Sequence, residues 1–139
     1  MALDIRFILE DNDEENLVDP SGKVLITDGK ATIVEPLAFL DAWLDGLITG
    51  LKDAQAGRSV NIEVDEPHRV LLEPEGGGVW IKYKDTAVFS ETFEKLRNAL
   101  KIGAEDFLRQ IDAIGDTDKS GWIASIRAFA NSPEHDSAK

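Results

Sequence analysis

The chain has 139 residues, with 27 acidic and 15 basic side chains and therefore a net charge of −12. The length fits one domain, and 42% hydrophobic with 30% charged residues is typical of a globular fold rather than a disordered chain. The absence of cysteine excludes disulfide bonds, thiol nucleophiles and thiolate metal sites. The acidic excess disfavours binding to nucleic acid or to anionic lipid, because both interactions depend on lysine and arginine.

The N-terminal part of the chain has the alternation of β-strands. Apolar residues occupy every second position from Leu3 to Leu9, which predicts a half-buried strand. Two β-rich runs then flank Asp28-Gly29, and an Asp-Gly pair between such runs predicts a hairpin. Between these elements lies the acidic segment, residues 10–15, in which every side chain but one is a carboxylate: Glu10, Asp11, Asp13, Glu14 and Glu15.

A long helix is predicted next. Pro36 suits the first turn of a helix, and leucine and isoleucine recur at helical spacing from Leu37 to Leu51. Gly57 favours termination of this helix. Gly46 and Gly50 lie inside it, where each glycine lowers helix stability by up to about 1 kcal/mol. Close packing against a sheet or a second helix explains them, and a homodimer contact is the alternative.

A second β block and further helices complete the pattern. Short apolar runs near residues 60–64, 70–72 and 79–83 are joined by short proline- and glycine-containing links, which favours antiparallel hairpins. Ser90 is a suitable helix cap, and an apolar stripe then continues at helical spacing to residue 114. Gly103 interrupts that stripe, which predicts a kink or two helices. A last short helix is expected near Trp122.

This order of elements predicts an α+β fold. We expect a mostly antiparallel sheet of about five to six strands, a long helix after the first β block, and C-terminal helices packed on one face. Residues 1–132 are predicted to form a single domain and residues 133–139 a disordered tail. The predicted core consists of Ile5, Phe7, Leu40, Leu44, Leu47, Ile62, Val64, Ile81, Phe93, Leu100, Phe107 and Ile111.

One loop resembles the start of an EF-hand-type calcium loop. Asp116, Asp118 and Ser120 stand at positions one, three and five, and Gly121 stands at position six. The resemblance implies that these three residues are candidate ligands of a hard cation. At position twelve, however, the family needs a bidentate glutamate and this chain has Arg127. The alternative is a polar loop between helices in which Ser120 or an aspartate caps the last helix.

Trp80 is the candidate contact residue of the second β block. It shares a predicted strand face with Lys82 and Lys84, opposite an apolar face. A tryptophan on the solvent side favours an interface anchor, because tryptophan is enriched at binding hot spots. The alternative is that Trp80 packs under neighbouring structure while the lysines pair across strands with Glu63 and Asp65.

Motifs for catalysis and for cofactors are missing from the sequence. The glycine run 76–78 is followed by Val79-Trp80 rather than by the Lys-Ser/Thr of a phosphate-binding loop, so it predicts a hairpin turn. There are only two histidines, and no G-x-S-x-G or H-E-x-x-H pattern occurs. We therefore expect no catalytic residues and no cofactor.

In size, acidity and β-then-helix order the chain resembles the small bacterial immunity proteins that mask basic nuclease toxins. The resemblance implies a non-enzymatic module that binds a basic protein, with residues 10–15 steering the partner and Trp80 anchoring it. A cytoplasmic location is expected because the N-terminus has no signal-peptide pattern. Two alternatives stay open. One is a small-molecule binder or hydrolase-like enzyme with a carboxylate-lined pocket, which a pocket containing His68 would favour. The other is a homo-oligomeric adaptor that uses the Gly46 and Gly50 face.

Overall fold

The computed structural model describes residues 3–9, 21–65, 68–113 and 121–131. Helices and strands follow one another in an α+β order, as predicted. Within the described residues they are β1 (Asp4–Leu9), β2 (Ser21–Thr27), β3 (Thr32–Phe39), α1 (Leu40–Gln55), β4 (Val60–Asp65), β5 (His68–Glu75), β6 (Gly78–Tyr83), β7 (Thr86–Ser90), α2 (Phe93–Asp112) and α3 (Gly121–Ala130).

The strands form two antiparallel sheets instead of the single sheet of five to six strands that we expected. The first sheet has the order β1-β2-β3 and the second has the order β4-β5-β6-β7. Each strand pairs with its neighbour in sequence, so short hairpins generate both ladders, and α1 connects one sheet to the other. The sequence pattern does not predict β7, whose residues pair with β6 from Val79–Ser90 to Tyr83–Thr86.

Both predicted hairpin turns are confirmed. Asp28 and Gly29 lie between β2 and β3, whose last register pair is Thr27 with Thr32. Gly76 and Gly77 form the two-residue link between β5 and β6, with φ angles of 58° and 92°. Two consecutive positive φ angles match the right-handed twist of a tight hairpin, and glycine adopts them without steric strain.

The prediction that Pro36 opens the first helix is wrong. Pro36 lies inside β3, which pairs with β2 as far as the register pair Ser21–Phe39, and α1 begins only at Leu40. The ladder shifts register between Gly22 and Val24, opposite the Pro36 region. A proline, which lacks an N–H, is tolerated at such an irregularity in an edge strand.

The core lies on the inner faces of the two sheets and under α1 and α2. All residues predicted for it are buried except Phe93, which is half-buried. The predicted close packing of Gly46 and Gly50 is confirmed, because a Cβ atom on Gly46 would lie 2.2 Å from Ile62 Cγ2. A Cβ atom on Gly50 would lie 3.1 Å from Ile62 Cδ1. The two glycines therefore let α1 approach β4.

The prediction of two helices at Gly103 is wrong, because α2 is one continuous helix from Phe93 to Asp112. Gly103 instead permits a close approach to β1, since a Cβ atom there would lie 2.6 Å from the Ile5 carbonyl oxygen. The N-cap of this helix also differs from the predicted one. Thr92 rather than Ser90 is the N-cap, and its Oγ1 accepts a hydrogen bond of 3.0 Å from the Lys95 N–H.

The free edge of β1 is covered by α2. The Gln110 side-chain amide donates to the Phe7 carbonyl oxygen at 2.7 Å and accepts from the Leu9 N–H at 2.9 Å. One glutamine thus replaces the two hydrogen bonds that a neighbouring strand would make at this point. Because unpaired edge groups invite association with other chains, Gln110 and Gly103 together close this edge.

Replacement of Gly103 by alanine separates helix propensity from packing. Propensity alone predicts a gain of about 1 kcal/mol. The clash with the Ile5 carbonyl predicts a loss of about 1–3 kcal/mol in the free energy of unfolding, because backbone cannot rotate away as a side chain can. Urea unfolding of Gly103→Ala measures whether the free energy of unfolding rises or falls. Glu105→Ala, at an exposed position of the same helix, is the control. A Gly103→Ala variant as stable as the wild type would contradict the packing.

Candidate functional site

The described structure contains one of the predicted partner-contact residues, Trp80. The acidic segment, Glu10, Asp11, Asp13, Glu14 and Glu15, lies outside the described residues, as do the predicted calcium ligands Asp116, Asp118 and Ser120. The described ranges hold 16 acidic and 13 basic residues, so most of the net charge of −12 lies in the rest of the sequence. The acidic segment alone contributes five carboxylates and no base.

Trp80 lies on the outer face of the second sheet, where it is half-buried. Its ring packs against Phe89 of β7 with ring centroids 4.8 Å apart, and its Nε1–H donates to Glu75 Oε2 at 3.2 Å. The tryptophan is therefore held in place from both sides while part of its ring reaches solvent. Such a fixed aromatic side chain needs little additional ordering to form a contact.

Among the described side chains, the lysines near Trp80 pair with carboxylates other than Glu63, which the alternative prediction named; the Asp65 side chain lies outside the described ones. Lys82 pairs with Glu73 of β5 at 2.7 Å, because β6 lies beside β5 and not beside β4. Lys84 lies in the turn after β6 with a φ angle of 53°, and its Nζ is 3.4 Å from Glu35 Oε1. The turn therefore directs Lys84 away from the face that Lys82 and Trp80 share.

Arg127, the residue that opposes calcium in the sequence motif, joins α3 to α2. Its guanidinium pairs with the Asp112 carboxylate, with 2.5 Å between Nη2 and Oδ1. This ion pair connects the two helices on either side of residues 114–120. Within the described ranges, no group of three or more histidine, aspartate and glutamate side chains is arranged to hold a metal ion.

Large apolar side chains are exposed along the strands of the first sheet, and we call them the outer band. The outer band consists of four exposed residues and of Leu25, the half-buried register partner of Val34. Its exposed fractions are 39% for Ile8, 50% for Val34, 67% for Leu37 and 44% for Phe39. The acidic segment follows β1 directly after Leu9, and β2 resumes at Ser21, the register partner of Phe39.

A buried carboxylate, Glu35, joins the two sheets. Glu35 of β3 is 8% exposed, and its Oε1 accepts a hydrogen bond of 2.6 Å from the Tyr83 hydroxyl of β6. Its Oε2 accepts from the Leu37 N–H at 3.0 Å. Burial alone would raise the pKa of Glu35, but the bonds from Tyr83 and Leu37 and the charge of Lys84 outweigh it and hold that pKa below its ordinary value.

Asp28 forms a second connection between the sheets. Its Oδ1 accepts from the N–H groups of Lys30 and Ala31 and so fixes the β2–β3 turn, at 2.8 Å and 2.9 Å. Its Oδ2 accepts from the Phe89 N–H of β7 at 3.0 Å. Partial burial by itself would raise the pKa of Asp28. The backbone donors lower it by more, so that the pKa lies below its ordinary value. The carboxylate is therefore a structural anion.

A cleft of about 630 Å³ lies among the three helices rather than between sheet and helices. Among the described residues, its lining includes Ile48 and Phe129, two cations, Lys52 and Arg97, and one carboxylate, Asp45. His68 is not part of it; that ring lies 6.2 Å from the Tyr83 ring. Asp28, Glu35 and Glu91 have pKa values below their ordinary values, and none of the three lines the cleft. The geometry therefore gives no support to a carboxylate-lined catalytic pocket.

In comparisons with known proteins, no family model, no curated protein and no solved structure matches this chain. In the part of the chain that the structure describes, none of the helices has the length and apolarity needed to span a bilayer.

The Tyr83–Glu35 contact makes stability depend on pH in a defined direction. Because the pKa of Glu35 is lowered by folding, its stabilising effect is complete above the ordinary value of 4.5 and is lost as the pH falls through the lower folded value. Tyr83→Phe removes a hydrogen bond to a charged group, so we expect a loss of about 2 kcal/mol at neutral pH.

Urea unfolding of the wild type and Tyr83→Phe at several pH values measures both effects. The difference between the two proteins should shrink as the pH falls from the ordinary value of 4.5 through the lower folded pKa of Glu35. Glu35→Gln serves as the control, since it lacks the titrating group and should lose this part of the acid sensitivity. A difference that stays constant down to low pH would contradict the assignment.

Proposed function

We propose that this protein is a non-catalytic binding module for a basic protein, an immunity- or antitoxin-like protein that masks its partner. The observation that carries the proposal is the outer band, Ile8, Leu25, Val34, Leu37 and Phe39. Val34 with its register partner Leu25, and Leu37 and Phe39 further along β3, place several large apolar side chains on the surface of one sheet, while Lys23 separates Ile8 from them. Grouped exposed apolar side chains on a globular protein are typical of an interaction site. The acidic segment follows Leu9 in the sequence, directly after the strand that carries Ile8, and its charge supports a partner of positive charge.

The two features have different roles in the proposal. Burial of Val34, Leu37 and Phe39 supplies affinity, because desolvated apolar contacts at the centre of an interface carry most of the binding energy. Glu10, Asp11, Asp13, Glu14 and Glu15 raise the association rate, because clustered charge steers an oppositely charged partner during diffusion. Trp80 lies on the other sheet, and we propose it as a separate anchor rather than as part of the outer band.

Retention of a basic protein from a lysate of the native cells, at low and high salt, provides the first test. We expect a basic partner that is retained at low salt and weakened at high salt, because charge attraction between exposed groups is screened. Leu37→Ser and Val34→Ser should each reduce retention without lowering stability by more than about 0.5 kcal/mol, because both side chains are exposed. Retention of no basic protein, or retention that these variants do not change, would contradict the proposal.

Two variants that remove equal charge from different places test the steering role of the acidic segment. Asp11→Asn/Glu14→Gln/Glu15→Gln and Asp85→Asn/Glu94→Gln/Glu105→Gln each remove one aspartate and two glutamates, and the second set is exposed on the described surface. With the retained partner, stopped-flow association should slow by about tenfold for the first variant at low salt and by much less for the second. Equal effects would show that only total charge matters.

A further inference from the structure

A groove of about 380 Å³ runs between α1 and the edge strand β4. On the helix it is lined by one face, with spacings of three and four residues: Ala42, Asp45, Gly46, Thr49, Gly50 and Asp53. On the strand it is lined by four consecutive residues, Val60 to Glu63. Because consecutive strand residues point to opposite faces, a groove that touches all four runs along the edge of β4 and not over one face.

The backbone along this groove is available for strand addition. Among the described strands β4 pairs only with β5, so its other edge carries N–H and C=O groups without a ladder. The free edge of β1 is covered by Gln110, and Asp28 accepts from the Phe89 N–H of β7. Gly46 and Gly50 bring α1 close to β4, which gives the groove a wall beside the strand.

The charge of the groove selects the occupant. Among the residues that the structure describes, its lining includes three carboxylates, Asp45, Asp53 and Glu63, and neither lysine nor arginine. Asp53 has an exposed ion pair with Arg58, at 3.4 Å, and a pair of this kind contributes little in water. A segment that carries lysine or arginine would therefore meet charges of opposite sign along the groove.

We infer that this groove binds an extended basic segment of the partner, which adds to the second sheet as a fifth strand beside β4. The inference rests on the proposed function for the positive charge of the partner. From Ala42 to Asp53 the helix wall is about 16 Å long at 1.5 Å per residue. About five extended residues at 3.3 Å each fill that length. Backbone hydrogen bonds supply affinity, and alternate basic side chains supply specificity.

A synthetic peptide tests the groove without the natural partner. The probe is an acetylated and amidated heptapeptide of alternating lysine and valine, added to the full chain labelled with ¹⁵N. We expect chemical shift changes centred on residues 42–53 and 60–63. Asp45→Asn/Glu63→Gln should weaken binding by about tenfold, and the control Glu94→Gln/Glu105→Gln on α2 should change it by less than twofold.

N-methylated probes distinguish strand addition from charge attraction alone. Successive residues of a strand direct their N–H groups to opposite edges, so one probe is methylated at its valines and the other at its lysines. We expect one of the two to lose at least tenfold in affinity while the other retains binding. Equal affinity of both with the unmodified probe, shift changes elsewhere, or no binding of the probe would overturn the inference.

The outcomes also separate this inference from the proposed function. If the full chain retains a basic protein but the probe does not bind the groove, the groove assignment is wrong and the binding module stands. If the probe binds the groove but no basic protein is retained, the proposed function fails while the groove remains a site for basic extended peptides.

Discussion

Two antiparallel sheets that share no ladder have four edges between them, and the rest of this structure depends on how those edges are covered. The three-stranded sheet ends at β1 and β3, and the four-stranded sheet ends at β4 and β7. An uncovered edge is a template for another chain, so each edge needs a partner or a use. Gln110 and the close approach at Gly103 cover β1. Asp28 accepts the Phe89 N–H on β7. Glu35 of β3 accepts from Tyr83 of the other sheet, a side-chain bond that joins the sheets and leaves the backbone of the β3 edge unpaired by it.

This arrangement connects stability to function. The two buried or partly buried carboxylates that join the sheets have lowered pKa values and are bound by backbone or tyrosine donors, so they serve the fold. The features left for recognition are the exposed apolar residues of the outer band and the edge of β4, together with the acidic segment that follows Leu9. Phe39 of the outer band directly precedes α1, and Ala42 begins the groove wall three residues later.

Local patterns in the sequence predicted the elements that depend on local chemistry. The alternation around Ile5 and Phe7, the Asp28-Gly29 turn and the apolar stripe of α1 all act over a few residues. Predictions failed where a distant residue decides the outcome. Pro36 favours a helix start by itself, but pairing with β2 keeps it in a strand. Gly103 suggests a break by itself, but its neighbour is the Ile5 carbonyl, almost a hundred residues earlier in the chain. The same holds for Glu35, whose partner Tyr83 lies 48 residues away.

Native-state hydrogen exchange on the full chain tests the account of the sheet edges most directly, because it reports each backbone N–H separately. The account predicts that Leu9 and Phe89, although on edge strands, are protected like amides inside the sheets, because Gln110 and Asp28 accept their hydrogens. Within Val60–Glu63, the amides that point away from β5 should exchange much faster than those of Leu9 and Phe89. In Gln110→Ala only the Leu9 protection should fall, and in Asp28→Ala the Phe89 protection should fall. If Leu9 and Phe89 exchange as fast as the β4 edge, or if every amide of Val60–Glu63 is fully protected, the edges are not arranged as described.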